Sequence, residues 1–143
     1  MHALPVLLFP YAESEGYSEQ SPQNAEYNCI AWAAEDAENF WWPNSDNSYW
    51  PESAPEALNI AAFVEAYRTV GYDLCDNDQL ESEFDKIAIY ADGGMPTHAA
   101  RQLTNGRWTS KLGRDEDIEH HTLHALEGPI YGFVAKIMKL PSR

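Results

Sequence analysis

The chain is short of positive charge and of cysteine, and each shortage removes a class of function. Only 9 Lys and Arg stand against 23 Asp and Glu in 143 residues, a formal net charge of −14. Nucleic-acid binders draw their affinity from basic side chains that release counterions, so no nucleic-acid partner is expected. Acidity of this size favours solubility and basic partners or substrates. Two cysteines, Cys29 and Cys75, do not make a disulfide framework. Long hydrophobic runs are missing too. The apolar stretch 4–9 contains Pro5, stops at Pro10 and has no basic leader. It matches neither a membrane span nor a signal peptide, so no membrane contact and a cytoplasmic location are expected. Phosphate-binding loops, dinucleotide fingerprints, nucleophile elbows and internal repeats are all absent, and no cofactor is expected.

What remains is the material of a folded enzyme-sized or binding domain. Hydrophobic residues make up 44% of the chain, enough for one core, and residues 1–143 read as a single domain. The polar stretch 12–26 reads as a loop. A helix is expected over 28–39, with Asn28 as its cap and Ile30, Ala33, Ala34 and Ala37 on its buried side. Phe40-Trp41-Trp42-Pro43 and Tyr49-Trp50-Pro51 predict irregular, packed structure. A second helix is expected from Pro55, suited to a first turn, to Val70 before Gly71. Strands follow at 86–91, 98–103 and 107–112, joined by turns at Asp92-Gly93-Gly94 and Asn105-Gly106. An acidic helix is expected over 115–126 and a last strand over 131–140. The predicted class is therefore α+β, with N-terminal helices packed on a small, mostly antiparallel sheet.

Two residues carry the inviting chemistry. Cys29 stands on the first turn of a predicted helix, where free N–H groups and the helix dipole favour a thiolate. His98 opens a predicted strand and is the candidate base for its proton. The Cys29 backbone N–H and Asn28 beside it are candidate donors to an oxyanion. Reading Asn105-Gly106 as a two-residue turn sets Gln102 opposite Thr109 and Ala100 opposite Lys111. Lys111 then shares a face with His98, and Ser110 points the other way. Lys111 and Trp32 are the candidates for substrate contact. His120 and His124 would share a face of the predicted helix, but the zinc-peptidase pattern is missing and no metal site is expected.

The order of elements, with Cys29 opening a helix and His98 at the head of a strand, resembles the papain-like superfamily of cysteine hydrolases. That resemblance implies an oxyanion donor at Gln23, upstream of Cys29, and a polar residue opposite the histidine on the next strand. The predicted register puts Gly113 there, so Asp117, a little further on, is the candidate to orient the imidazole. The strings NCIAWA, WWP, YWP, THAARQL, WTSKLG and DIEH also resemble a bacterial protein family that carries no established activity. Two functions follow as expectations. One is a thiol-dependent hydrolase or acyl transferase acting on a peptide, isopeptide or amide bond of a peptide or protein substrate. The other is a non-catalytic acidic module that binds or inhibits a protein on the same scaffold.

Overall fold

Residues 8–21, 29–34, 41–43, 49–111 and 117–141 are described in the computed structural model of the protein. Seven strands, β1 (Tyr17–Ser21), β2 (Asp73–Cys75), β3 (Phe84–Asp92), β4 (Met95–Gln102), β5 (Trp108–Lys111), β6 (Asp117–His120) and β7 (Phe133–Pro141), form one sheet. Their order is β1-β6-β5-β4-β3-β7-β2, and all the strand pairings are antiparallel. The helices are short: α1 (Ala12–Glu15), α2 (Cys29–Ala33) and α3 (Ile60–Arg68), with a 3-10 turn at Leu123–Leu126. The class is α+β with the sheet dominant. No helix among the described residues is long and apolar enough to cross a membrane.

Both faces of the sheet are covered. On one, α2, α3 and Trp41 pack on Ile87, Ile89, Ala99 and Met138. On the other, Phe9, Ala12, Leu123 and Leu126 pack on Ala88, Tyr90, Ala100, Trp108 and Ile118. This double burial explains why β3 runs Ile87-Ala88-Ile89-Tyr90 with no exposed member. A tyrosine hydroxyl fastens each layer: Tyr67 donates to Ile30 O at 2.7 Å, joining α3 to α2 within one, and Tyr90 donates from the sheet to Leu123 O in the other at 2.6 Å. Helix α3 starts at Ile60 because Asn59 caps it, its side chain accepting from Ala62 N–H at 2.8 Å. The expected start at Pro55 is too early; the Pro55 carbonyl is taken by the Trp50 indole at 2.9 Å.

Lys86 shows how the corner of the sheet is closed. It is fully buried on β3, and its ammonium donates to Asn77 Oδ1 and Gln79 O, both at 2.7 Å, and pairs with Glu81 at 2.6 Å. A buried ammonium is tolerated only when its donors are met, and here they are met by the loop they fasten to the sheet.

Two expected elements are replaced. The segment expected as a helix over 115–126 holds β6 and then the 3-10 turn, while residues 112–116 lie outside the described set. Ile118 and His120 alternate inward with period two, which outweighs the acidic, helix-like composition. Part of the stretch read as a loop over 12–26 is α1 and β1. Polar Tyr17–Ser21 pairs with β6 at the edge of the sheet, where a strand needs few apolar residues.

The β4–β5 hairpin has a longer loop than Asn105-Gly106 suggests. Leu103 N–H donates to Arg107 O at 2.7 Å, leaving residues 104–106 as a three-residue loop that ends on Gly106 at φ +88°. Such loops place their last residue in the left-handed region, which glycine enters without cost. Gln102 therefore pairs with Trp108 and Arg101 with Thr109, one residue away from the expected register. Gly106→Ala should destabilise the fold by about 1 kcal/mol, seen as a lower urea midpoint at unchanged slope. An unchanged midpoint would show that the loop does not require the left-handed conformation.

Candidate functional site

Cys29, in α2, enters the core with Ile87, Ile89 and Ala99. Four groups favour its thiolate: the backbone groups of Ala99, Ile30 and Cys29 itself, hydrogen-bonded to the sulfur, and the charge of Lys111 on β5. Burial opposes them and is the larger effect, pushing the thiol up to about 11. At neutral pH Cys29 is therefore a protonated thiol, 6% exposed. Lys111 is fully buried on the same side of the sheet.

His98 precedes Ala99 on β4 and so points through the sheet the other way. Its ring stacks on Tyr131 with centroids 4.0 Å apart and planes 13° apart, and meets Tyr90 edge-on at 5.3 Å. Both ring nitrogens are buried without a hydrogen-bond partner. Burial first, then the neighbouring His120, holds His98 well below its ordinary value of 6.5. A neutral imidazole in that position is separated from the thiol by the sheet itself.

On the His98 side lies a second polar pair. Ser110 Oγ is 2.7 Å from His120 Nε2, and His120 Nδ1 is 2.8 Å from Thr122 O. A carbonyl only accepts, so Nδ1 carries the proton and Ser110 donates to Nε2. Serine and histidine in this relation are the parts of a nucleophile and its base. Both are fully buried, however, and the pair acts as a pin joining β5, β6 and the 3-10 turn. Burial lowers the His120 pKa to about 4, against the bond to Thr122 that raises it.

The structure thus brings Cys29 and Lys111 together and sets His98 apart from both. The expected face-sharing of Lys111 with His98 is corrected by the one-residue difference in the hairpin, which turns every β5 side chain over. Ser110, expected opposite, joins His98 for the same reason. Asp117 is the first residue of β6, opposite Lys111, rather than on a helix; its side chain lies outside the described residues. Gln23 and Asn28 also lie outside them, as does the Trp32 side chain, whose backbone is part of α2. His120 and His124 do not share a helix face, the first being in a strand and the second in the 3-10 turn. Among the described residues no cluster of His, Cys, Asp or Glu is arranged to hold a metal. The pairing of Ser110 with His120 was open to discovery only through strand alternation from a correct turn.

A family model described as a domain of unknown function (DUF7689) matches residues 18–139, and the chain belongs to that family. No curated protein and no solved structure matches it.

Two outcomes test this geometry. His98 and His120 stay neutral in the fold, whereas the unfolded chain takes up protons near 6.5. Their contribution is thus full above that pH and drains as pH falls toward 4. The shift of His120 from 6.5 to about 4 corresponds to roughly 3 kcal/mol. Urea midpoints should fall across this window, and His120→Gln should flatten the slope; a flat wild-type profile would contradict the assignment. Ser110→Ala, which leaves His120 Nε2 a buried acceptor without a donor, should cost about 1–3 kcal/mol by chemical denaturation. A neutral result would mean that the pair contributes no stability.

Proposed function

We propose that this protein is an acidic, non-catalytic module that binds a basic protein partner. The observation that carries the reading is the separation of Cys29 from His98 by the sheet. A thiol near 11 and an imidazole held neutral are both in the wrong protonation state for the ion pair of a cysteine hydrolase. The net charge of −14 supports a basic partner. A helix that carries Cys29 and packs on an antiparallel sheet supports a papain-like origin for the scaffold. Two unpaired cysteines support a reducing, cytoplasmic setting.

A second reading, acyl transfer or hydrolysis at Cys29, is favoured by one observation: the Ala99 and Ile30 backbone groups and Lys111 all act on its sulfur in the direction of thiolate. In that reading Cys29 would attack an amide carbonyl, and the base would have to be a group on its own side of the sheet.

Iodoacetamide labelling of the Cys75→Ser protein against pH separates the two. With a thiol near 11, about one molecule in a thousand is thiolate at pH 8, so labelling should be slow and rise only in alkali. Fast labelling below pH 8 that disappears in His98→Ala would overturn the non-catalytic reading.

A further inference from the structure

Residues 122–132, between β6 and β7, lie as a flap over the sheet face that carries His98. Leu123 and Leu126 are buried beneath it, whereas His124 and Ile130 are exposed. Side chains of the sheet fasten the flap through its carbonyls. His120 donates to Thr122 O, Tyr90 to Leu123 O and the Thr97 hydroxyl to Tyr131 O. The ring of Tyr131 adds its stack on His98. Gly132, at φ +73°, is the hinge where the flap joins β7.

His98 is closed in by this flap and poorly provided for. Among the described residues neither ring nitrogen has a hydrogen-bond partner, and the ring is fully buried. The titratable side chains that face it there are Tyr90 from β3, Tyr131 from the flap and His120 from β6. Ser110 from β5 turns to His120, and Lys111 acts on Cys29 across the sheet. Glu15 and Glu127 are engaged at the rim of the flap, the first by Thr122 Oγ1, the second by Val134 N–H and His124. None of these groups brings a carboxylate to His98. An imidazolium here would carry two buried N–H donors with no acceptor, which its attraction to tyrosine faces does not offset. Lifting Tyr131 gives both donors to water.

We propose that the flap is released by acid, with His98 as the trigger. A proton taken up by the uncovered imidazole holds residues 122–132 off the sheet while the opposite layer, under α2 and α3, stays folded. Release does not depend on the binding role proposed above. It bares Tyr90 and the inner sides of Leu123 and Leu126, so a change of pH becomes an apolar surface on one face alone. The open ring titrates near 6.5 and the closed ring well below it. Opening is therefore rare above that pH and rises up to tenfold for each pH unit below it.

The test is amide hydrogen exchange of the full chain, followed by NMR. A flap held off the sheet is too short to keep its own turns, so the amides of Glu127, Gly128 and Gly132, each bonded within it, report opening. Their protection relative to an unfolded chain should fall about a hundredfold or more between about pH 7.5 and about pH 4.5. It should stay below that of Ile87 to Tyr90 in β3 throughout. His98→Phe keeps a ring between Tyr131 and Tyr90, and it should take back about a hundredfold of the fall. In Tyr131→Ala the uncovered His98 ring should titrate near its ordinary 6.5. Equal protection of the flap and β3 in acid would mean that only the whole molecule opens, and would overturn the proposal. So would a flat wild-type profile, an unchanged fall in His98→Phe, or a His98 ring that does not titrate in Tyr131→Ala.

Discussion

Period-two alternation along β4, in a sheet buried on both sides, is the constraint on which the rest depends. Ala99 closes the layer beneath α2 and α3, and Ala100 closes the layer beneath Phe9 and Leu123. Neither face has room to exchange residues with the other, because a one-residue slip would send small alanines and large polar groups to the wrong cores at once. His98 follows Ala100 to one side and the Cys29 sulfur meets Ala99 from the other. Their separation is therefore a property of the strand rather than of two side-chain rotamers. Bringing the imidazole to the thiol would require β4 to shift its register, and its pairing with β3 over Ile87–Arg101 and Tyr90–His98 opposes that.

Burial of polar groups is the second theme, and it redistributes charge. Lys86 and Lys111 are both fully buried, so two of the 9 basic residues do not reach the surface. Lys86 is accompanied inward by the Glu81 carboxylate, whose pKa is lowered chiefly by their hydrogen bond. The histidines take the other course and stay neutral, which costs no ion pair but makes the His98 side of the sheet sensitive to acid. The two solutions suit different places: a charged pair at a corner where Glu81 is partly open to solvent, neutral rings where aromatic side chains close round them.

The parts of this fold legible in the sequence are those where local chemistry and burial agree. The strands β3, β4 and β7 announce themselves by apolar content, and Gly93-Gly94 at φ +59° and +84° makes the expected tight turn between β3 and β4. Helix α3 is legible because its apolar residues are spaced for one face, although Asn59 rather than Pro55 starts it. Edge strand β1 is not legible, since a polar edge resembles a loop in composition. The candidate site was legible only as residue types. Cys29 lies in α2 and His98 in β4, but which face each joins depends on side-chain alternation and on one residue of loop length. Asn105-Gly106 fits a two-residue and a three-residue loop equally well until Leu103 is seen to pair with Arg107.

A cysteine at the start of a helix is often read as activated, and Cys29 shows what else that inference needs. The contacts that favour the Cys29 thiolate are local: three backbone groups, those of Ala99, Ile30 and Cys29 itself, and the field of Lys111. Against them stands removal of the sulfur from water, which penalises the charged form and leaves the neutral form untouched. Because the net result is a rise to about 11, the desolvation cost exceeds all the stabilising contacts together. Whether the thiol at this position is structural or reactive is thus decided by desolvation, the largest of the effects acting on the sulfur.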